Sequence, residues 1–190
     1  AFTSVAILAP TPGGSGTQIF LRNAQTNTTT LVSRNAAGDA SNGASSESAI
    51  STNGQFVVFT SVAPNLAPIP GGSGSQIFLR DTTGNTTTLV SRDTGGSAGN
   101  GASSQPTISA TSGQFVAFTS LAPNLAPIPG GSGSQIFLRD TTGNTTTLVS
   151  RHPLGSAGDG ASSQPAISAD GRYVAFTSDA TNLAPIPGGT

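Results

Sequence analysis

Residue types that do chemistry are few in this chain. There is one histidine, His152, and no cysteine; the seven basic residues are all arginine and the acids number eight. A general base at His152 would need an acid to orient it and a nucleophile in reach, and a serine nucleophile would often sit in a G-x-S-x-G elbow. Neither pattern is present. His152 follows a strand-like stretch at the place that Asn35 and Asp93 hold in similar segments, which predicts a surface turn. The carboxylates Asp39, Glu47, Asp81, Asp93, Asp140, Asp159, Asp170 and Asp179 are scattered, mostly one to a turn. Hard cations need several converging oxygens, so no metal site is expected. Asp39 and Asp159 share a Gly-Asp context and read as equivalents, with Asn100 at that place in the middle segment. Asp81 and Asp140 each follow an arginine, which predicts an exposed local ion pair or a turn bond. The "GGSGS" run at Gly71 lacks the lysine of a phosphate loop and reads as a flexible connection. No catalytic residue, cofactor or metal ligand is assigned, and an enzyme is not expected.

Charge excludes further classes. Only 8% of residues are charged and the net charge is −1, against about 25% charged residues in an ordinary domain. No broad basic surface exists to hold nucleic acid or an anionic membrane. No apolar run has the length of a membrane span. With so little charge, copies of the chain have little repulsion to keep them apart.

The elements that must position these residues come from a repeat. The thirty residues from Ala63 to Arg92 recur letter for letter from Ala122 to Arg151. "QIFLR" occurs at Gln18, Gln76 and Gln135, and "FTS" at Phe2, Phe59, Phe118 and Phe176. Each unit carries four strand signals. In the middle copy they are "SSQPTISA" from Ser103, "QFVAFTS" from Gln114, "QIFLRD" from Gln135 and "TTTLVSR" from Thr145. A Gly-containing turn joins the first two, as at "TNG" from Thr52 and "ADG" from Ala169, and Gly allows the positive φ of a tight hairpin. The second strand is apolar on both alternating sets, Phe115 and Ala117 against Val116 and Phe118, so both its faces are covered. Phe56, Phe115 and Tyr173 form one set of equivalents, Phe59, Phe118 and Phe176 a second, and Phe20, Phe78 and Phe137 a third. All three sets read as core. The sequons at Asn27, Asn85 and Asn144 read as hairpin turns before a Thr-rich strand. The pattern predicts an all-β chain with almost no helix, a β-propeller built from four-stranded antiparallel blades, in preference to a β-solenoid.

Two stretches carry a family resemblance. "QPAISADGRYVAFTSDATNL", Gln164 to Leu183, resembles the WD40-like repeat of TolB-type propellers, in which "P-x-[WI]-S-x-D-G" precedes "R-Y-V-A-F-x-S". "IFLRDTTGNTTTLVSR" is similar to the family's next pair, "IFVRD…G…T…VS". The resemblance implies the propeller fold and does not choose a function. Where such repeats often carry an acidic "D-x-N-G-x-x-D" stretch, this chain has Gly71, Gly72, Ser73, Gly74 and Ser75, so no ion site is carried over.

The units divide a single repeat domain, 1–190, into repeat 1 at about 1–43, repeat 2 at about 44–101, repeat 3 at about 102–160 and a C-terminal half-blade at 161–190. Three blades are fewer than the four to eight that usually close a propeller. The C-terminal half-blade lacks what the N-terminal strands provide. The expectation is therefore a structural, self-assembling homo-oligomer, a ring of about six blades from two copies or a head-to-tail filament. The residues expected to complete a blade between chains are Gln18, Ile19, Phe20, Leu21, Leu31 and Val32 on one side and Ile167, Tyr173, Val174, Ala175 and Phe176 on the other. "AFTS" at residues 1–4 repeats residues 175–178, so both compete for one place. The alternative is an extracellular binding module that presents loops to a glycan, peptide or protein, through repeat-variable residues such as Glu47, His152 and Leu154. If natural, the chain is expected outside the cell or at its surface. Recent duplication and deliberate design of a symmetric protein both produce such regularity.

Overall fold

The computed structural model describes residues 2–4, 13–110, 112–127 and 131–184. The turn residue Thr111, part of the proline-rich loop at 128–130, and the predicted unit ends at 1, 5–12 and 185–190 lie outside the described residues.

Thirteen strands and no helix occur among these residues. The first sheet holds β1 (Phe2–Ser4), β2 (Gln18–Asn23) and β3 (Thr28–Leu31) in that order. The second is β4 (Ser45–Ile50), β5 (Phe56–Ser61), β6 (Gln76–Asp81) and β7 (Thr86–Leu89). The third repeats it as β8 (Ser103–Ile108), β9 (Phe115–Ser120), β10 (Gln135–Asp140) and β11 (Thr145–Leu148). A hairpin of β12 (Ser162–Ile167) and β13 (Val174–Ser178) follows. All pairings are antiparallel meanders between chain neighbours. This is the predicted propeller blade, twice complete.

Turn chemistry sets the meander. Asp81 Oδ1 accepts from the N–H groups of Thr83 and Gly84, both at 2.9 Å. Asn85, next in the turn, takes a φ of 54°, a left-handed conformation that Asn tolerates better than most residues. Asp140 and Asn144 repeat this turn. The inner strands carry an unforeseen irregularity. Their pairing slips between Ser46 and Ala49, between Ser104 and Thr107, and between Ser163 and Ala166. At each slip one polar residue, Glu47, Gln105 or Gln164, has a φ of 51–55°. These are β-bulges, which bend the strand and re-aim a side chain.

Sheets stack face to face. Val57, Phe59, Phe78 and Leu89 of the second sheet pack on Ile19 and Val32 of the first. On its other face Val58, Ile77, Leu79 and Val90 meet Val116, Phe118, Phe137 and Leu148 of the third. Phe59 pairs with Phe78 across the ladder with ring centroids 6.0 Å apart, and Phe118 with Phe137 at 5.9 Å. Such pairs add about 0.5–1.5 kcal/mol beyond area burial. Two of the three aromatic sets expected as core divide from the third. Phe20, Phe59, Phe78, Phe118 and Phe137 are wholly buried, but Phe176, the third member of the Phe59 set, is half-buried in the C-terminal hairpin; Phe56 and Phe115 are half-buried and Tyr173 is 66% exposed. The latter set lies at the start of the second strand, where Gly113 packs against the Phe56 ring and Gly171 against the Phe115 ring.

Candidate functional site

The groups weighed for catalysis hold turns. His152 Nδ1 accepts from Leu154 N–H at 3.1 Å and His152 N–H donates to Ser156 O at 2.8 Å. Its equivalents share the backbone bond, Asn35 N–H to Asp39 O and Asp93 N–H to Ser97 O, and their side chains close the turn one step wider, Asn35 Oδ1 accepting from Asp39 N–H and Asp93 Oδ1 from Ser97 N–H. That register corrects one sequence reading. Asp39 matches Ser97 and Ser156, the residues before the bridges Arg34–Ala40, Arg92–Ala98 and Arg151–Ala157. Asp159 matches Asn42 and Asn100, since each offers its N–H to the asparagine of the next loop, Asn182, Asn65 and Asn124. No group of three or more His, Asp or Glu residues that could hold a metal occurs among the described residues.

Of the two roles expected for Asp81 and Asp140, the turn bond is present, and Arg80 and Arg139 correct the other, an exposed pair with the following aspartate. Each is 1% exposed. Arg80 turns into the space between first and second sheets, donating to Thr87 Oγ1 at 3.1 Å, Asn35 O at 3.4 Å and Asn85 Oδ1. Arg139 does likewise toward Thr146, Asp93 O and Asn144. Burial, with Arg34 and Arg92 nearby as like charges, pushes both guanidinium pKa values down to about 10 against the pull of Asp81 and Asp140. The sequon asparagines thus serve as acceptors within the fold.

Two further contacts recur at sheet interfaces. Glu47 Oε2 accepts from Gln105 N–H, and Gln105 Oε1 from Gln164 N–H, each at 2.9 Å. The bulges therefore chain the inner strands together. Asn65 Nδ2 donates to Ala40 O, Asn124 to Ala98 O and Asn182 to Ala157 O, all at 2.9 Å. No sequence signal marked the bulges, because their partners lie 58 or 59 residues away.

The residues expected to complete a blade fall on two separate faces. Gln18, Ile19, Phe20, Leu31 and Val32 are buried and Leu21 is half-buried. Gln18 closes a network, its Oε1 accepting from Ser33 and Ser41 at 2.7 Å. β1 pairs with β2 through Phe2–Phe20, Thr3–Ile19 and Ser4–Gln18, the register of Phe59–Phe78, Thr60–Ile77 and Ser61–Gln76. On the other face Ile167, Val174 and Phe176 are half-buried, and Ala175 and Tyr173 are exposed. β13 pairs with β12 alone among the described residues, while β5 and β9 are each paired on both sides and buried along five of six residues. The structure does not bring these two faces together.

No family model matches the chain, and no curated protein matches it. Solved structures do. The crystal structure of TolB from Acinetobacter baumannii superposes with a TM-score of 0.52 at 17% identity, over 85% of this chain and 32% of that one. A structure described as a TolB from Agrobacterium tumefaciens gives 0.47 at 15% identity, over 85% of this chain and 50% of that one. The chain spans about a third and half, respectively, of the lengths of these structures. Stacked four-stranded meanders and the likeness to the Acinetobacter protein together make the fold a TolB-like β-propeller.

Proposed function

We propose that the chain is a structural β-propeller unit that associates with copies of itself and has no catalytic role. The observation that carries this reading is β13. Its counterparts β5 and β9 each have a third strand beside them, whereas among the described residues β13, with the same Phe-Thr-Ser at 176–178, has none on its outer edge. An open apolar strand is a template for pairing. The edge that fits it is that of β2, which accepts Phe-Thr-Ser from β1 in the ladder's own register. A copy's β12–β13 with β2–β3 of its neighbour makes a complete four-stranded blade. With net charge −1, little opposes the approach. Mass photometry and sedimentation across concentrations test this, with electron microscopy for shape. Species at multiples of 18.6 kDa that build with concentration are expected; a chain that stays single at every concentration overturns the reading.

A binding module remains the second reading, and Leu154, 89% exposed in a turn that differs between repeats, is the observation in its favour. Glu47, also named for that role, is engaged by Thr60 of its own sheet and by Gln105 of the next.

A further inference from the structure

We infer that the two open faces are the separated halves of one latch, in which Tyr173, Gln164 and the Arg151–His152 backbone of one copy engage Gly54, the Glu47 N–H and Arg22 of the next. This rests on the proposed self-association and adds to it a residue-level interface with one direction, head to tail.

The interfaces within the chain supply the template. At the junction of second and third sheets, Gly113 lies under the Phe56 ring so closely that a Cβ there would come 2.6 Å from it. At the next junction Gly171 lies under Phe115 in the same way, at 2.2 Å. One step further the ring is Tyr173, 66% exposed. The corresponding glycine that no ring covers among the described residues is Gly54, in the same turn with φ 74° and nothing within 4 Å of a Cβ position. A ring without its glycine ends one face, and a glycine without its ring ends the other.

The bulge series breaks at the same two places. Among the described residues Gln164 Oε1 meets only its own strand partner Thr177, at 3.4 Å, while the equivalent atoms of Glu47 and Gln105 each hold the next bulge N–H. Among the described residues the Glu47 N–H begins the series with no such side-chain oxygen from a preceding strand. The arginine series breaks likewise. Arg80 and Arg139 reach the carbonyls of the preceding turn, and Thr87 and Thr146 donate to Arg34 O and Arg92 O at 2.5 Å. Arg22 and Thr29 hold these positions in the first sheet, where Arg22 is exposed and, among the described residues, bonds within its own hairpin, to Asn27 and Thr29. Among the described residues the turn with no such arginine on it is Arg151–His152.

A fourth pair changes on both sides at once. Gln55 donates to Asp81 at 3.1 Å and Gln114 to Asp140 at 3.3 Å, each between the start of a second strand and the end of a third. In the shared blade these positions are Arg172 of one copy and Asn23 of its neighbour, again a donor facing an acceptor. All four series are satisfied together only if β12–β13 of one copy and β2–β3 of the next form one blade. A heterologous contact of this kind closes a ring or runs on as a filament according to its rotation. The occupant is a second copy, because each face's complement is the other face of this same chain.

The test uses the full chain in two isotopic forms, mixed, with Tyr173 replaced by the photo-reactive p-benzoylphenylalanine, which its exposure accommodates. Cross-links joining position 173 of one isotopic form to the Asn53–Gln55 turn of the other are expected. Gly54→Asn, at a φ that Asn tolerates, is expected to leave the circular dichroism and melting of the single chain in place and to raise the concentration needed for assembly tenfold or more. Unmodified protein measured in parallel separates the two readings. Assemblies that form while position 173 cross-links elsewhere, or while Gly54→Asn has no effect, overturn the latch and leave self-association standing. A chain that never assembles overturns both, and cross-linking only within one isotopic form overturns the latch.

Discussion

Arg80 and Arg139 show what one residue does according to its neighbours. A guanidinium taken out of water loses several kcal/mol of solvation, which a full set of hydrogen bonds offsets. Arg80 meets Asn85, Thr87 and Asn35, while Arg22, the same residue in the same strand, stays in solvent for want of a sheet in front of it. Arg80→Ala leaves Thr87 Oγ1, the buried one of these acceptors, without its donor and empties the space that the side chain fills between the sheets, and should cost about 3 kcal/mol. Arg22→Ala should cost under about 0.5 kcal/mol in the single chain. Urea unfolding of both variants measures the difference, and equal losses would mean that the interface does not depend on the buried arginine. Asp81 adds a pH dependence. Burial works to raise its pKa, but the Gly84 N–H, Gln55, the Thr83 N–H and the Arg80 charge hold it below the usual carboxylate value. A depressed folded pKa means that this stability is present above the unfolded value and is lost as pH falls through the folded one. Thermal midpoints followed from neutral pH to about pH 2 should therefore fall less steeply for Asp81→Asn than for the parent chain.

β1 is the element on which assembly turns. It fills the place beside β2 with three residues, where β5 and β9 each bring six and a hairpin partner besides. A strand of three residues forms few ladder bonds, so β13 of a neighbour, with β12 behind it, competes well for the seat. Successive residues of a strand alternate in the direction of their N–H groups, so two adjacent prolines remove whichever bond β1 donates to β2. The variant Phe2→Pro with Thr3→Pro should accordingly assemble at severalfold lower concentration than the parent chain. Sedimentation at matched concentrations checks this; a variant that assembles less well would make β1 part of the interface instead of its competitor.

For the whole molecule the decisive question is which surfaces a stack of sheets leaves open. The second sheet is covered on both faces, and its Val32 and Val90 neighbours at each junction are 1% exposed. Val149, at the same strand position beside the C-terminal hairpin, is half-buried, because β12 and β13 cover the third sheet only in part. Truncation after Ser163 uncovers that face and removes β13. The truncated chain should give open fragments or aggregates in place of a defined oligomer, read by mass photometry; retention of the parent's oligomeric mass would show that assembly does not pass through the shared blade. Periodicity of 57 to 59 residues, two-sided apolar strands and Gly or Asn turns made the strand order, the hairpins and the buried phenylalanines readable in the sequence, because those signals are local and are repeated in each unit. The fates of Arg80 and Arg22, of Phe115 and Tyr173, and the bulges at Glu47, Gln105 and Gln164 were not readable there. Equal residues at equal repeat positions have equal local preferences; what separates them is whether another sheet lies in front, and that contact spans a whole repeat of chain and exists only once the sheets have stacked.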